Sequence, residues 1–286
     1  MRAFLIDCGA MLNCVNFYAA LLERLSGDTL GTRLHDQLTE EKVTLCVPEP
    51  SGKPCTLAVA TLDSAGAASY SFYLDATAGP DVDYEVAKGA LPADATAVHV
   101  GALGLVMEPF GTAIERLVLT DVPAGILVML DPNCRPGAIT DPKPYRERIS
   151  AIARRADIIK ASAEDLAYLC PGVPAEAAAK ILQSDGASLV LVTDGPRPAR
   201  AFVNDTVLAE DVPPVSVVDT IGAGDAFGGG FLAWWTAHGL GQPDLVRVDL
   251  VRQALRAATG AAALTCTRPG ADPPTLAELQ VRNWWP

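Results

Sequence analysis

From residue 96 to residue 193, short apolar runs alternate with longer amphipathic ones, and this alternation limits the fold more than any other property of the chain. Periodicity predicts strands at 97–101, 125–130, 157–160 and 188–193, and helices at 108–119, 144–155, 163–169 and 175–183. The strands are near-continuous Val, Ile, Leu and Ala rather than apolar–polar alternations, as expected of strands buried on both faces. Helices must then cover both faces, which makes the chain an α/β protein, a three-layer α/β/α domain around a mostly parallel central sheet. At 286 residues the chain is the size of one such domain. Sheets of this kind bind ligands beyond the carboxyl ends of their strands, so polar residues directly after strands are the functional candidates.

One later stretch carries the chemistry. Val215, Val217 and Val218 form a β-branched approach, expected as a strand, to Asp219-Thr220-Ile221-Gly222-Ala223-Gly224-Asp225, which opens into an apolar helix over 226–235. A small-residue turn into a helix presents backbone N–H groups that lack an intrahelical partner, and the helix dipole adds partial positive charge there. That is an anion site, and glycine lets the backbone approach the anion without a Cβ in the way. A carboxylate at Asp225 beside such a site suits a base that must reach a hydroxyl next to a phosphate, the combination phosphoryl transfer requires. The alternative for the same residues is an ordinary turn whose Asp caps its own helix. No G-x-x-x-x-G-K-[ST] loop occurs, so the site is not of the Walker type.

The net charge of −12 argues against nucleic acid as a partner, which wants a basic face. The seven cysteines are scattered with no C-x-x-C pair, and the three histidines, His35, His99 and His238, form no cluster. Neither a zinc site nor a disulfide framework is expected; reduced thiols in a cytoplasmic protein are. No apolar run is long enough to span a membrane without charge. The opening residues carry Arg2 and then an apolar run, but Asp7 interrupts it and no A-x-A site ends it, so no secretory leader is expected.

Toward the N-terminus, 3–6 is expected as a strand and 17–25 as a short helix. A Gly/Asp turn at 27–28 leads into an amphipathic helix with Leu30, Leu34 and Leu38 on one face. Residues 55–62 and 69–74 are expected to pair as a hairpin turning at 63–66, and 199–203 and 206–210 as another turning at Asn204-Asp205. A long Ala-rich helix is expected over 244–264.

The stretch from Asp219 to Asp225, followed by Ala226-Phe227 and a Gly-rich helix, closely resembles the C-terminal signature of the PfkB/ribokinase family of carbohydrate kinases. Three strand ends agree with it. Asp131-Pro132-Asn133-Cys134-Arg135 resembles the family's D-x-N-x-R. Lys160-Ala161-Ser162-Ala163-Glu164-Asp165-Leu166 resembles K-x-N-x-x-E-L, with Ser162 and Asp165 where Asn and Glu are common. Val192-Thr193-Asp194-Gly195 resembles the nucleotide loop T-x-G-x-x-G, with Pro198 near its last Gly. The tail Cys266-Thr267-Arg268-Pro269-Gly270-Ala271 looks most like fructokinase-type members.

The resemblance implies one ribokinase-like kinase domain over 1–286, with a small, reduced β-lid hairpin around 43–75 that covers the sugar and can mediate a homodimer. It implies transfer of the γ-phosphate of ATP to a sugar hydroxyl, fructose first, with 2-keto-3-deoxygluconate or ribose as alternatives. Asp225 would be the base, and the N–H groups of Gly222, Ala223 and Gly224 would hold the transferring phosphoryl. Asn133 and Arg135 would meet sugar or phosphate oxygens, and Thr193, Gly195, Thr220, Gly222 and Gly224 the nucleotide. Glu164 or Asp165 would anchor magnesium through water, and the backbone carbonyls of Asp219 and Ile221 would hold potassium. Two assignments have plain alternatives: a surface Arg in a Pro-bounded turn at 135, and helix capping at 162–165.

The chain departs from the family before residue 23. It has no Gly-Gly-x-x-x-Asn sugar-binding turn there, Asn13 and Asn16 lack its neighbours, and Asp7 is the one candidate for the family's early Asp. A mis-called start, a deletion and a rebuilt sugar site all fit this. So does a member that has lost catalysis and binds or regulates instead, although such a protein has no need of Asp225.

Overall fold

The computed structural model describes residues 2–6, 18–62 and 68–286. In chain order the strands are β1 (Arg2–Ile6), β2 (Tyr18–Ser26), β3 (Thr44–Ser51), β4 (Leu57–Leu62), β5 (Ala68–Tyr73), β6 (Ala95–Gly101), β7 (Leu127–Asp131), β8 (Ile158–Ser162), β9 (Leu189–Asp194), β10 (Arg197–Val203) and β11 (Thr206–Glu210). The helices are α1 (Thr29–Glu40), α2 (Tyr84–Ala90), α3 (Phe110–Thr120), α4 (Pro142–Ala153), α5 (Ala163–Leu169), α6 (Ala175–Ser184), α7 (Ala223–Ala237), α8 (Val248–Thr265) and α9 (Leu276–Val281).

Nine strands form one sheet in the order β11-β10-β9-β8-β7-β6-β1-β2-β3. Neighbours from β9 to β3 run parallel, and β10 and β11 close one edge as an antiparallel hairpin. The expected α/β/α layers follow. On one face Val98, Val100, Val128, Leu130, Ile159 and Val190 pack with α3 to α6; on the other Ala97, Leu127, Met129, Ile158 and Leu191 pack with α7 and α8. Helix α7 is apolar all round after its first turn and buried from Ala226 to Thr236, as such a helix must be. Its two indoles still find acceptors: Trp234 Nε1 donates to the Pro286 carbonyl at 2.9 Å and Trp235 Nε1 to that of Gly241 at 3.2 Å. No helix among the described residues is long and apolar enough to cross a membrane.

Three expectations are corrected. The segment expected as a helix over 17–25 is strand β2 as far as it is described, pairing in parallel with β1 and β3. Ala19, Ala20, Leu21 and Leu22 are all buried, so both faces are covered and no alternation marks the strand. Helix α1 forms as expected; Leu38 of its apolar face packs against the core, while Leu30 and Leu34 are each 42% exposed. They border a groove shared with Cys55, Thr56, Leu57 and Ala58 at the foot of the β4–β5 hairpin. The approach at 215–218 is not a strand; 211–218 has no regular structure, and Val217 and Val218 are each 63% exposed. The 244–264 helix is divided into a 3-10 turn, Gln242–Val246, and α8, because Arg247 adopts an extended backbone between them.

The β4–β5 hairpin is an antiparallel two-stranded sheet of its own; its turn, 63–67, lies outside the described residues, as do Asp7, Asn13 and Asn16. The first part of the 43–75 segment, β3, belongs to the large sheet. Asp28 ties the hairpin to the body. One carboxylate oxygen accepts from Leu30 and Gly31 N at the start of α1, and the other accepts from Cys55 N at 2.9 Å. These donors hold its carboxyl below the usual range.

Candidate active site

The carboxyl ends of β6, β7, β8 and β9 and the N-terminus of α7 meet at one edge of the sheet. Gly222 caps α7 at φ +77°, a left-handed turn that a side chain would strain, and no side chain caps the helix. The first turn therefore offers the Gly224 N–H to a ligand, while Ala223 N donates to the Thr220 carbonyl at 3.3 Å. Asp225 is half-buried in that turn. The loop before it is fixed from outside: the Asp219 carboxylate accepts from Ile221 N at 3.0 Å and from Gly270 N at 2.8 Å, and Val218 N donates to the Cys266 carbonyl at 2.8 Å. The tail at 266–270 thus sets the height of the 219–222 loop. Thr220 and Ile221 are exposed beside it.

Beneath the turn lies a pair that joins the first residues of two of the family-like motifs, Lys160 and Asp131, neither of them assigned a role by the resemblance. Lys160, on β8, is 4% exposed, and its Nζ donates to Asp131 Oδ2 of β7 at 2.7 Å; Asp131 is 2% exposed. A Cβ on Gly224 would come within 2.9 Å of that Nζ, so the ammonium lies directly under the first turn of α7. Burial pushes the Asp131 carboxyl up, to about 6, against the pull of Lys160. Burial disfavours the Lys160 ammonium, but Asp131, Asp225 and Asp165 outweigh this and raise its pKa. The signals available in the sequence were the place of each residue at the head of one of these motifs and a single Lys inside the apolar run Ile158-Ile159-Lys160-Ala161.

Asp165 proves to be a structural carboxylate. Its Oδ2 accepts from Ser162 N at 2.8 Å and from the Ser162 hydroxyl at 2.7 Å, and its own N donates back to that hydroxyl at 3.0 Å, a capping box for α5. Its Oδ1 accepts from Cys134 N at 2.7 Å and so holds the 131–135 loop against α5. Both oxygens are engaged within the protein, which leaves the exposed Glu164 as the nearby carboxylate open to a hydrated cation. Ser162→Ala should remove the cap and destabilise the protein by about 1 kcal/mol, read as a lowered urea midpoint at unchanged slope.

Asn133 stands in the left-handed region at φ +41° and is partly buried. Arg135 is exposed and donates to the Cys134 carbonyl at 3.1 Å, so it lies on the surface of the turn. Thr193 is the penultimate residue of β9, partly buried, and Gly195, at φ +55°, makes a tight turn with Pro196 into β10. Asp194 and Arg197 pair across that turn.

Comparison with known proteins agrees with this geometry. The profile of the pfkB family carbohydrate kinases matches residues 11–278. The chain belongs to that family. The kinase is 34% identical over 217 residues to a fructokinase of Rhizobium leguminosarum bv. trifolii, a match covering 75% of this chain and 65% of that protein. It is 30% identical to fructokinase-2 of Zea mays over 92% of this chain and 78% of the maize protein. Among solved structures, a Vibrio cholerae O395 fructokinase with fructose, ADP and calcium superposes with a TM-score of 0.83 at 21% identity, covering 98% of each chain. Aminoimidazole riboside kinase of Salmonella enterica does so at 0.82 and 20%, covering 98% of this kinase and 99% of that chain. The shared fold is thus ribokinase-like.

Proposed function

We propose that this kinase transfers the γ-phosphate of ATP to a hydroxyl of fructose. The observation that carries the reading is the α7 N-terminus: an uncapped, glycine-led turn with a half-buried carboxylate at its third position, set at the carboxyl edge of a parallel sheet. Asp225 takes the proton of the sugar hydroxyl as its oxygen attacks the γ-phosphorus. The N–H groups of Gly222, Ala223 and Gly224 hold the phosphoryl oxygens, and ADP leaves. Thr193, Gly195 and Thr220 border the nucleotide side, and Asn133 the sugar side; Arg135 reaches the substrate only by leaving the Cys134 carbonyl. Fructose is chosen over other sugars because the relatives that match over most of the chain carry that name.

Magnesium suits this donor set as a partner of the ATP phosphates. Among the described residues no three His, Cys, Asp or Glu side chains gather to hold a metal ion, and magnesium on a nucleotide keeps most of its ligands as water and phosphate. Glu164 is the anchor through water. Potassium would rest on the carbonyls of Asp219 and Ile221, a loop held in shape by the Asp219 side chain. The lid is proposed to pair two copies in the cytoplasm: Leu57, Val59 and Tyr73 of the hairpin are 38%, 45% and 59% exposed. Sedimentation at micromolar concentration should give a dimer, and a monomer at every concentration removes that part.

The deciding assay measures ADP release with magnesium and potassium against fructose, ribose, 2-keto-3-deoxygluconate and adenosine. Fructose should give the highest kcat/KM. ATP binding without turnover of any sugar would reject the kinase activity.

A further inference from the structure

We propose that Lys160 is a positioning residue for phosphoryl transfer, its buried ammonium serving as the counter-charge that lets a phosphoryl group settle on the α7 N-terminus among three carboxylates. The inference rests on the kinase reading above and deepens it.

The placement is costly for anything else. A cation under a helix N-terminus opposes the helix dipole, which favours anions there. A buried ion pair is also poor value for stability, because desolvation offsets most of the attraction and apolar replacements often serve as well. The Lys160–Asp131 pair incurs both costs. It is also incompletely satisfied, since among the described residues the buried Asp131 Oδ1 has no hydrogen-bond partner. A pair kept only to staple β7 to β8 would have no need to lie under Gly224, and that residue has no side chain where the ammonium comes close.

The surroundings explain it. Asp131, Asp165 and Asp225 all face Lys160, and each favours its charged form. The protein as a whole carries a net charge of −12. A γ-phosphoryl arriving at Gly222-Ala223-Gly224 therefore meets three carboxylates, one of them the base. Backbone dipoles oppose that field, and Lys160 is the buried side-chain cation that does so. A unit charge a few ångströms away through protein changes a transition state that gathers negative charge by on the order of a hundredfold.

The test removes the charge while sparing the fold. Lys160→Met alone strands a buried Asp131, so its effect mixes stability with chemistry. Asp131→Asn/Lys160→Met removes both charges at nearly constant shape. With wild-type thermal stability, it should lose about a hundredfold in kcat relative to Asp131→Asn alone, which keeps the ammonium, with the fructose KM within about twofold. If it does not fold, Asp131→Leu/Lys160→Met, with an apolar pair of similar volume, takes its place under the same criteria. A folded double variant with kcat within about threefold of the matching Asp131 single variant overturns the inference and leaves the pair a structural staple. If the wild type turns over no sugar, the proposed function fails by itself, and ATP affinity decides the present point. About tenfold weaker ATP binding in the double variant than in the matching Asp131 single variant supports it, and equal affinity overturns it.

Discussion

Asp225→Asn should cut kcat for sugar phosphorylation by about 10²–10⁴-fold while ATP affinity stays within about threefold. The substitution keeps the shape and a hydrogen-bonding oxygen and removes the ability to take a proton. It also leaves the anion site intact, because that site is backbone: Gly222 at φ +77° and the first turn of α7. Asp225 sits where a helix favours an acidic residue, so neutralising it should cost less than about 1 kcal/mol of stability. Removing a negative charge beside the phosphates also tends to tighten ATP rather than weaken it. A fall in kcat with unchanged thermal melting and unchanged ATP titration is therefore the expected result. An Asn variant with wild-type kcat would take the base role away from Asp225.

The parts of the molecule that could be read from the sequence are those where a residue type has one use. Near-continuous Val, Ile and Leu between amphipathic helices left only a covered parallel sheet, and β6 to β9 lie where that pattern put them. Gly222-Ala223-Gly224-Asp225 before an all-apolar helix left little but an anion site. Strand β2 was not legible, because Tyr18-Ala19-Ala20-Leu21-Leu22-Glu23-Arg24 is made largely of good helix formers. Its conformation is decided by β1 and β3 on either side. The valines at 215–218 misled in the opposite direction. They are β-branched, but Pro213 and Pro214 precede them, the sheet edge is already taken by β11, and Val218 N bonds the 266 carbonyl instead. Asp165 was legible as a cap, but its second bond, to Cys134 N on another loop, was not. The Lys160–Asp131 pair needs the register of adjacent strands, and no one-dimensional pattern holds that.

The same register explains the second large effect, in stability against pH. His99 of β6 lies opposite Met129 of β7, 1% exposed, and among the described residues neither ring nitrogen has a hydrogen-bond partner. Burial, with Lys160 adding repulsion, pulls its pKa down to about 3 from the ordinary 6.5. Between those values the unfolded chain holds a proton that the native state refuses, so this group's contribution is complete above pH 6.5 and is lost as pH falls toward 3. The loss is about 2 kcal/mol at pH 5 and about 4 kcal/mol near pH 3. Asp131 acts with the opposite sign. Its carboxyl is raised to about 6 from 3.8, so between those values the native state holds the extra proton and stability declines as pH rises. The two slopes oppose one another from about pH 4 to pH 6, and the wild-type curve hides both. A difference between proteins separates them. His99→Leu should be at least as stable as wild type at pH 7.5, since it removes two unsatisfied buried nitrogens. Its advantage should then grow by about 2 kcal/mol on going to pH 5, roughly 4 °C or more in Tm. A variant whose advantage is the same at both pH values would show that His99 accepts its proton in the folded protein. It would also mean that the apolar layer between β6 and α7 is open to water.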